Sequence, residues 1–168
     1  MKTLVMQFVM ICFFRTDPQD LPASRVLLVL TAFAVLFTSI RSTAGLPNVL
    51  LMAGVHVFLM GLFIYATLVF RRRTARWQQT ASAIFGATAT LNLITWPFIP
   101  WMERTKDTPQ GAIPALIGVF LTIWYISILA HILRHALDIQ STTSIWVSIG
   151  CVSVLMMATL ISASLTTA

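Results

Sequence analysis

Charge is scarce in this sequence. Only 10% of its 168 residues are Asp, Glu, Lys or Arg, and only five of them are acids. Soluble domains contain about 25% charged residues, whereas this chain is 58% hydrophobic and has a mean hydropathy of +0.88. The shortage excludes an ordinary soluble domain and indicates that lipid surrounds most of the chain.

Cysteine is scarce as well. Cys12 and Cys151 lie in separate apolar segments, and neither belongs to a CxxC motif or to a Cys/His cluster. A disulfide or zinc framework would need several cysteines at regular spacing. Both residues are therefore predicted to be small buried hydrophobes.

The sequence contains several long apolar runs. A helix needs about 20 apolar residues to cross a bilayer, and five stretches approach that length: 23–40, 47–70, 79–101, 111–133 and 143–165. Pro97 and Pro100 are expected to break the third stretch only near its end. The predicted fold class is therefore an all-α, polytopic transmembrane helical bundle that forms a single domain over residues 1–168.

The N-terminal segment, residues 1–14, is apolar but too short to span a membrane. No small-x-small cleavage site follows it, which argues against a signal peptide. We expect a short helix that lies in the membrane interface or packs against the bundle. Its hydrophobicity on all sides favours packing.

A block of arginines separates the second and third apolar runs. Because positive loops resist translocation, this block predicts the cytoplasmic side. With the N-terminus on that side, eight cations lie inside (Lys2, Arg15, Arg25, Arg71, Arg72, Arg73, Arg76 and Arg134) and three lie outside (Arg41, Arg104 and Lys106). The bias predicts a bacterial inner-membrane protein with a cytoplasmic N-terminus and a periplasmic C-terminus.

Five of these cations define what we call the basic rim: Arg71, Arg72, Arg73, Arg76 and Arg134. The net charge of +6 would suit nucleic acid, but the cations lie in short loops beside apolar runs. We therefore interpret them as determinants of topology that contact anionic lipid headgroups, and we expect no nucleic-acid partner. The expected partners are the bilayer, its headgroups, and a membrane protein or a second copy of the chain.

Two polar residues lie within the predicted spans. Counted from the outer ends of their runs, His56 and Asn92 fall at nearly the same depth, which predicts a hydrogen bond between the second and third helices. Such a bond is worth about 0.6 kcal/mol on average, so its expected role is helix register. His131 lies about 16 Å deeper than His56 by the same count, and the two histidines are therefore not expected to hold a haem.

The third span also carries a row of small residues. Ser82, Gly86 and Thr90 repeat every fourth residue. In lipid, such a row lets two helix backbones approach closely. It predicts either a tightly packed central helix or a seam between two copies of the chain.

A pair of histidines, His131 and His135, stands four residues apart at the end of the fourth span. Helical i, i+4 histidines can share a metal ion, but no third donor stands at helical spacing before Asp138. We therefore predict a polar helix end that complements the dipole, with no metal and no cofactor. Asp17 and Asp20 are likewise predicted to be helix-start residues.

Two stretches carry a family resemblance: 18–24 (PQDLPAS) and 124–137 (WYISILAHILRHAL). With the short N-terminal segment, they resemble the bacterial members of the Yip (Ypt-interacting protein) superfamily, which implies five spans and an external C-terminus. Eukaryotic members are linked to Rab GTPases and vesicle traffic and have a long cytosolic N-terminal region. Here only about twenty residues precede the first predicted span, and Pro22 and Ala23 follow Asp20-Leu21 where the family has Tyr-Gly-Pro. We therefore do not expect the trafficking role to carry over.

Three functions are compatible with these features. The first is a non-enzymatic scaffold or accessory subunit of a membrane complex, because no catalytic constellation is visible. The second is a small transporter, channel subunit or lipid-handling protein that uses a polar pocket around His56, Thr90 and Asn92. The third is an enzyme acting on lipid through His131, His135 and the Asp17/Asp20 segment.

Overall fold

The structure is a computed structural model that describes the backbone of residues 2–42, 49–105, 108 and 111–167, and the side chains of 4–40, 50–105, 108 and 111–161. Within these residues the chain forms seven α-helices. They are α1 (Lys2–Cys12), α2 (Arg25–Ser42), α3 (Val49–Phe70), α4 (Trp77–Thr95), α5 (Ile99–Thr105), α6 (Ala112–Leu137) and α7 (Ser141–Thr167). Short 3-10 turns at Pro18–Asp20 and Thr74–Arg76 precede α2 and α4.

The number of membrane-length helices is smaller than predicted. Three helices are long and apolar enough to cross a membrane: Leu50–Phe70, Ala112–Leu137 and Ser141–Ile161. The bent pair Thr74–Thr95 and Ile99–Thr105 makes a fourth if it counts as one span. Among the described residues the five-span prediction is therefore wrong. Helix begins only at Arg25, after the extended Leu21, and the first predicted span is the shorter apolar helix Arg25–Ile40.

The predicted break in the third apolar run is confirmed. α4 ends at Thr95, residues 96–98 form a turn, and α5 leaves at an angle of 56°. Proline lacks a backbone N–H and its ring collides with the preceding turn of a helix. Pro97 therefore accounts for the bend.

Five helices form a ring in which neighbours touch in the order α2, α3, α7, α6, α4 and back to α2. α4 is the most deeply placed, because every residue from Thr80 to Ala89 is buried. Because α4 also touches α1 and α3, the prediction of a tightly packed central helix is confirmed. Small side chains on most of this stretch allow the neighbouring backbones to approach closely.

The N-terminal helix α1 packs against α4, as its hydrophobicity on all sides predicted. Ile11 and Cys12 are buried completely, and a Cβ atom at Gly86 would overlap the ring of Phe8. The indole Nε1 of Trp124 in α6 donates to the carbonyl of Cys12 at 3.1 Å. This bond satisfies a carbonyl at the end of α1 that has no partner within the helix.

Candidate functional sites

A cavity of about 340 Å³ lies inside the ring of helices. Its volume falls in the range of sites that bind small molecules. Every helix of the ring contributes to its wall. The lining residues used below are Ser39 from α2, Met52 and His56 from α3, Thr88, Asn92 and Thr95 from α4, Leu121 and Tyr125 from α6, and Leu155 and Thr159 from α7.

The wall of the cavity is mostly apolar and carries a few polar groups. The hydroxyl of Thr88 donates to the carbonyl of Ile84 at 2.7 Å. The hydroxyl of Tyr125 lies 3.4 Å from that of Thr88. His56 makes no hydrogen bond to any residue that the structure describes. Its ring nitrogens are therefore available to a molecule in the cavity. No Asp, Glu, Lys or Arg stands among the described residues of the wall.

The hydrogen bond predicted between His56 and Asn92 does not form. Asn92 donates instead to the hydroxyl of Thr38 at 3.2 Å and to that of Ser39 at 3.5 Å, both in α2. The prediction used depth along the helix, and the structure does bring both residues to the same cavity. The rotation of α4 about its own axis turns the amide toward α2, and depth alone does not determine that rotation.

A second cluster lies where the chain leaves α1 and meets the end of α6. Asp17, His131 and His135 place one ligand-type atom each within 4.8 Å of one another. The Asp17 carboxylate is 3.4 Å from Nε2 of His135 and 4.0 Å from Nε2 of His131. The sequence predicted no metal because no third donor stands near the two histidines along the chain. In the structure Asp17 supplies a third donor atom from a distant part of the sequence.

Asp17 does start a helical turn, as predicted, but its side chain does not cap it. The 3-10 turn Pro18–Asp20 follows directly, and none of its backbone N–H groups donates to the carboxylate. The carboxylate faces the two histidines instead. Asp20 is exposed and does not belong to this cluster.

The basic rim divides into two groups at this end of the bundle. Arg73 forms a 3.0 Å ion pair with Asp138, and Arg76 donates to the carbonyl of His135 at 2.9 Å. Arg76 also donates to the carbonyl of Ala136 at 3.4 Å. Both carbonyls belong to the last turn of α6, and the negative end of a helix dipole attracts cations. The three remaining members, Arg71, Arg72 and Arg134, are exposed.

The row of small residues in α4 is covered by the protein itself. Ser82 and Gly86 are buried, and Phe8 of α1 fills the space beside Gly86. The hydroxyls of Ser82 and Thr90 donate to carbonyls of the preceding turn, those of Gln78 and Gly86. The row therefore takes part in packing inside the chain.

Both cysteines are buried and free. The Cys12 thiol lies 3.8 Å from the carbonyl of Ala87, and burial raises its pKa to about 11. A thiol of such high pKa is a poor nucleophile and a poor metal ligand. Cys12 therefore belongs to the packing of α1 on α4 and not to the nearby cluster.

Sequence reasoning grouped Asp17 with the two histidines only as part of a catalytic segment in the third function, and it did not predict that their ligand atoms lie together. It missed Tyr125 as a polar group of the cavity. Nothing in the spacing of Asp17 pointed to α6. Tyr125 does stand two turns before the pair of histidines, yet its direction depends on how α6 packs. No protein-family model, curated protein or solved structure matches the chain. The resemblance to the Yip superfamily thus rests on its two stretches alone.

Proposed function

We propose that this protein is a lipid-handling membrane protein that binds one small single-chain amphiphile inside its ring of helices. The observation that carries the proposal is the cavity of about 340 Å³ with an apolar wall and His56 exposed to its interior. A site of this composition holds an apolar tail by burial and orients a polar head by a few hydrogen bonds.

The chemistry of the wall favours this function over ion transport. Transport sites for ions use intramembrane charges or the unwound halves of broken helices near the midplane. The described part of the wall has no charged side chain, and the break at Pro97 lies at the end of α4. His56 and the Tyr125 hydroxyl offer hydrogen bonds, which suit a neutral or singly charged headgroup.

The proposal places the protein in a bacterial inner membrane with the basic rim on the cytoplasmic side. There the exposed Arg71, Arg72 and Arg134 contact anionic lipid headgroups. Since α7 begins beside this end and runs away from it, the proposed C-terminus is periplasmic. The large apolar side chains exposed along α3, α6 and α7 support contact with lipid, because soluble surfaces rarely expose so many.

A scaffold or accessory subunit is the weaker alternative. It was inferred from the lack of a catalytic constellation together with the row of small residues in α4, and Phe8 of α1 fills the space beside Gly86 in that row. Self-association or a partner protein would therefore use the lipid-facing surface, where no described feature selects a partner over lipid.

Binding of dodecanoate to the detergent-purified protein, measured by equilibrium dialysis, tests the proposed function. We expect saturation at one molecule per chain. His56→Leu should weaken binding about 5- to 30-fold, because it removes one hydrogen bond worth about 1–2 kcal/mol to a charged head. Phe58→Leu is the matched control, since Phe58 lies in the same helix and is 67% exposed on its outer face.

The proposal would be contradicted by binding that does not saturate or that both variants weaken equally. Thermal unfolding of the two variants shows whether either substitution has disturbed the fold. Equal thermal stability with unequal binding assigns the effect to the cavity.

A further inference from the structure

The cluster of Asp17, His131 and His135 has the geometry of a small metal site. In a tetrahedral site with bonds of 2.0–2.2 Å, ligand atoms lie about 3.4 Å apart. The separation of Asp17 and His135 is 3.4 Å and that of Asp17 and His131 is 4.0 Å. All three atoms lie within 4.8 Å of one another. Side-chain rotations that move these atoms by about 1 Å would place them at bonding distance from one ion.

The second nitrogen of His135 is already occupied. Its Nδ1 lies 2.8 Å from the carbonyl of His131, to which it donates. This bond places a proton on Nδ1, so Nε2, which faces Asp17, is the nitrogen that an ion would bind. Metal-binding histidines are oriented in this way by a carbonyl or carboxylate on their other nitrogen.

The three side chains come from elements that are held in place. The histidines lie one turn apart on α6, and Gln19 donates to the carbonyl of His135 at 3.3 Å. Upstream, Phe14 has a φ of 59°, a left-handed conformation that costs a bulky residue about 1 kcal/mol or more. This turn directs residues 15–17 back to α6, where Phe14 packs edge-on against His131.

Solvent can reach the cluster and supply a fourth ligand. The Asp17 side chain is 56% exposed, so an ion can reach the cluster from solvent. The carbonyl of Thr16 lies 3.4 Å from Nε2 of His131, the nitrogen that would bind the ion, so the ion would replace this long hydrogen bond. The hydroxyl of Thr16 is buried without a hydrogen-bond partner among the described atoms. A water bound to the ion is the kind of group that would supply that partner.

We propose that Asp17, His131 and His135 bind one divalent transition-metal ion of the Zn²⁺ class. Two imidazole nitrogens and one carboxylate oxygen, with a fourth position for water, are a ligand set that Zn²⁺ accepts. The ion ties the segment after α1 to the end of α6. This site is separate from the cavity and does not depend on the function proposed for it.

The test uses the full chain purified in detergent, stripped with EDTA and titrated with Co²⁺ and with Zn²⁺. We expect one Co²⁺ per chain, with the visible absorption of a tetrahedral nitrogen and oxygen site, and displacement by Zn²⁺. Asp17→Asn and His135→Gln should each weaken binding by about tenfold or more. Zn²⁺ should raise the thermal unfolding midpoint of the unaltered chain but not that of Asp17→Asn.

Two control variants separate the cluster from adventitious binding. Asp20→Asn removes an exposed acid three residues away, and His56→Gln removes the histidine of the cavity; both should keep the Co²⁺ site. Failure of the unaltered chain to bind Co²⁺ stoichiometrically would overturn the proposal. Equal loss in Asp17→Asn and Asp20→Asn would do the same. Asp17→Asn is nearly isosteric and exposed, so its binding result does not depend on refolding.

Discussion

At the scale of single residues, the contact between Gly86 and Phe8 determines how α1 docks. Gly86 lies in the buried middle of α4, and its missing side chain is the space that the Phe8 ring occupies. Small residues let two helices approach closely in lipid, and here the space beside Gly86 is filled by the large aromatic ring of Phe8. Removal of that space should release α1 without touching the cavity.

Gly86→Ala is expected to destabilise the protein by about 1–3 kcal/mol, because the added methyl group overlaps the Phe8 ring and forces α1 outward. Gly150→Ala is the matched control in α7, where a Cβ meets no atom within 4 Å. Thermal unfolding in detergent, followed by circular dichroism, measures both variants. Equal unfolding midpoints for the two would show that α1 does not dock on α4 as described.

At the scale of elements, the end of α6 joins three parts of the chain. Arg73 and Arg76 reach it from the turn after α3, Gln19 reaches it from the 3-10 turn, and Asp17 meets its histidines. Asp138 ends the helix with a φ of 56° in the left-handed region. The arginines thus complete a helix terminus, in addition to any effect they have on topology.

Arg76→Gln is expected to cost about 1–2 kcal/mol, because it removes a charged donor from the carbonyls of His135 and Ala136. Arg71→Gln, an exposed member of the basic rim, changes the same charge and should shift stability by less than about 0.5 kcal/mol. Unfolding by denaturant titration in mixed micelles compares them. A larger loss in Arg71→Gln would contradict the assignment of Arg76 to the helix end.

At the scale of the whole molecule, the ring of helices places its two kinds of polar group apart. Arginines, Asp17 and the paired histidines gather at one end, and the cavity lies within the ring, walled by all five helices. Glu103 and Arg104 lie in α5, beyond the bend at Pro97. The arrangement agrees with a molecule that faces different aqueous phases at its two ends.

Single cysteines introduced at the two ends test this orientation. Cys12 and Cys151 are buried, so a membrane-impermeant maleimide should label Arg72→Cys only in inverted vesicles and Glu103→Cys only in intact spheroplasts. Both sites are exposed on the protein surface. Labelling of Arg72→Cys from the outside would reverse the proposed topology, and labelling of both from one side would contradict membrane-crossing helices.

The sequence by itself determined the helical class, the apolar runs and the bend near Pro97, and it limited α1 and the row of small residues in α4 to two arrangements each. Each of these follows from local composition, because a proline or a row of small residues acts within a few turns of helix. The tertiary structure alone decided that α1 packs on α4 and that Asn92 bonds to Thr38 and Ser39. It also decided that Arg76 completes the end of α6 and that Asp17 joins His131 and His135. Those outcomes depend on where each helix begins and how it is rotated against its neighbours. Packing between residues far apart in the chain sets both.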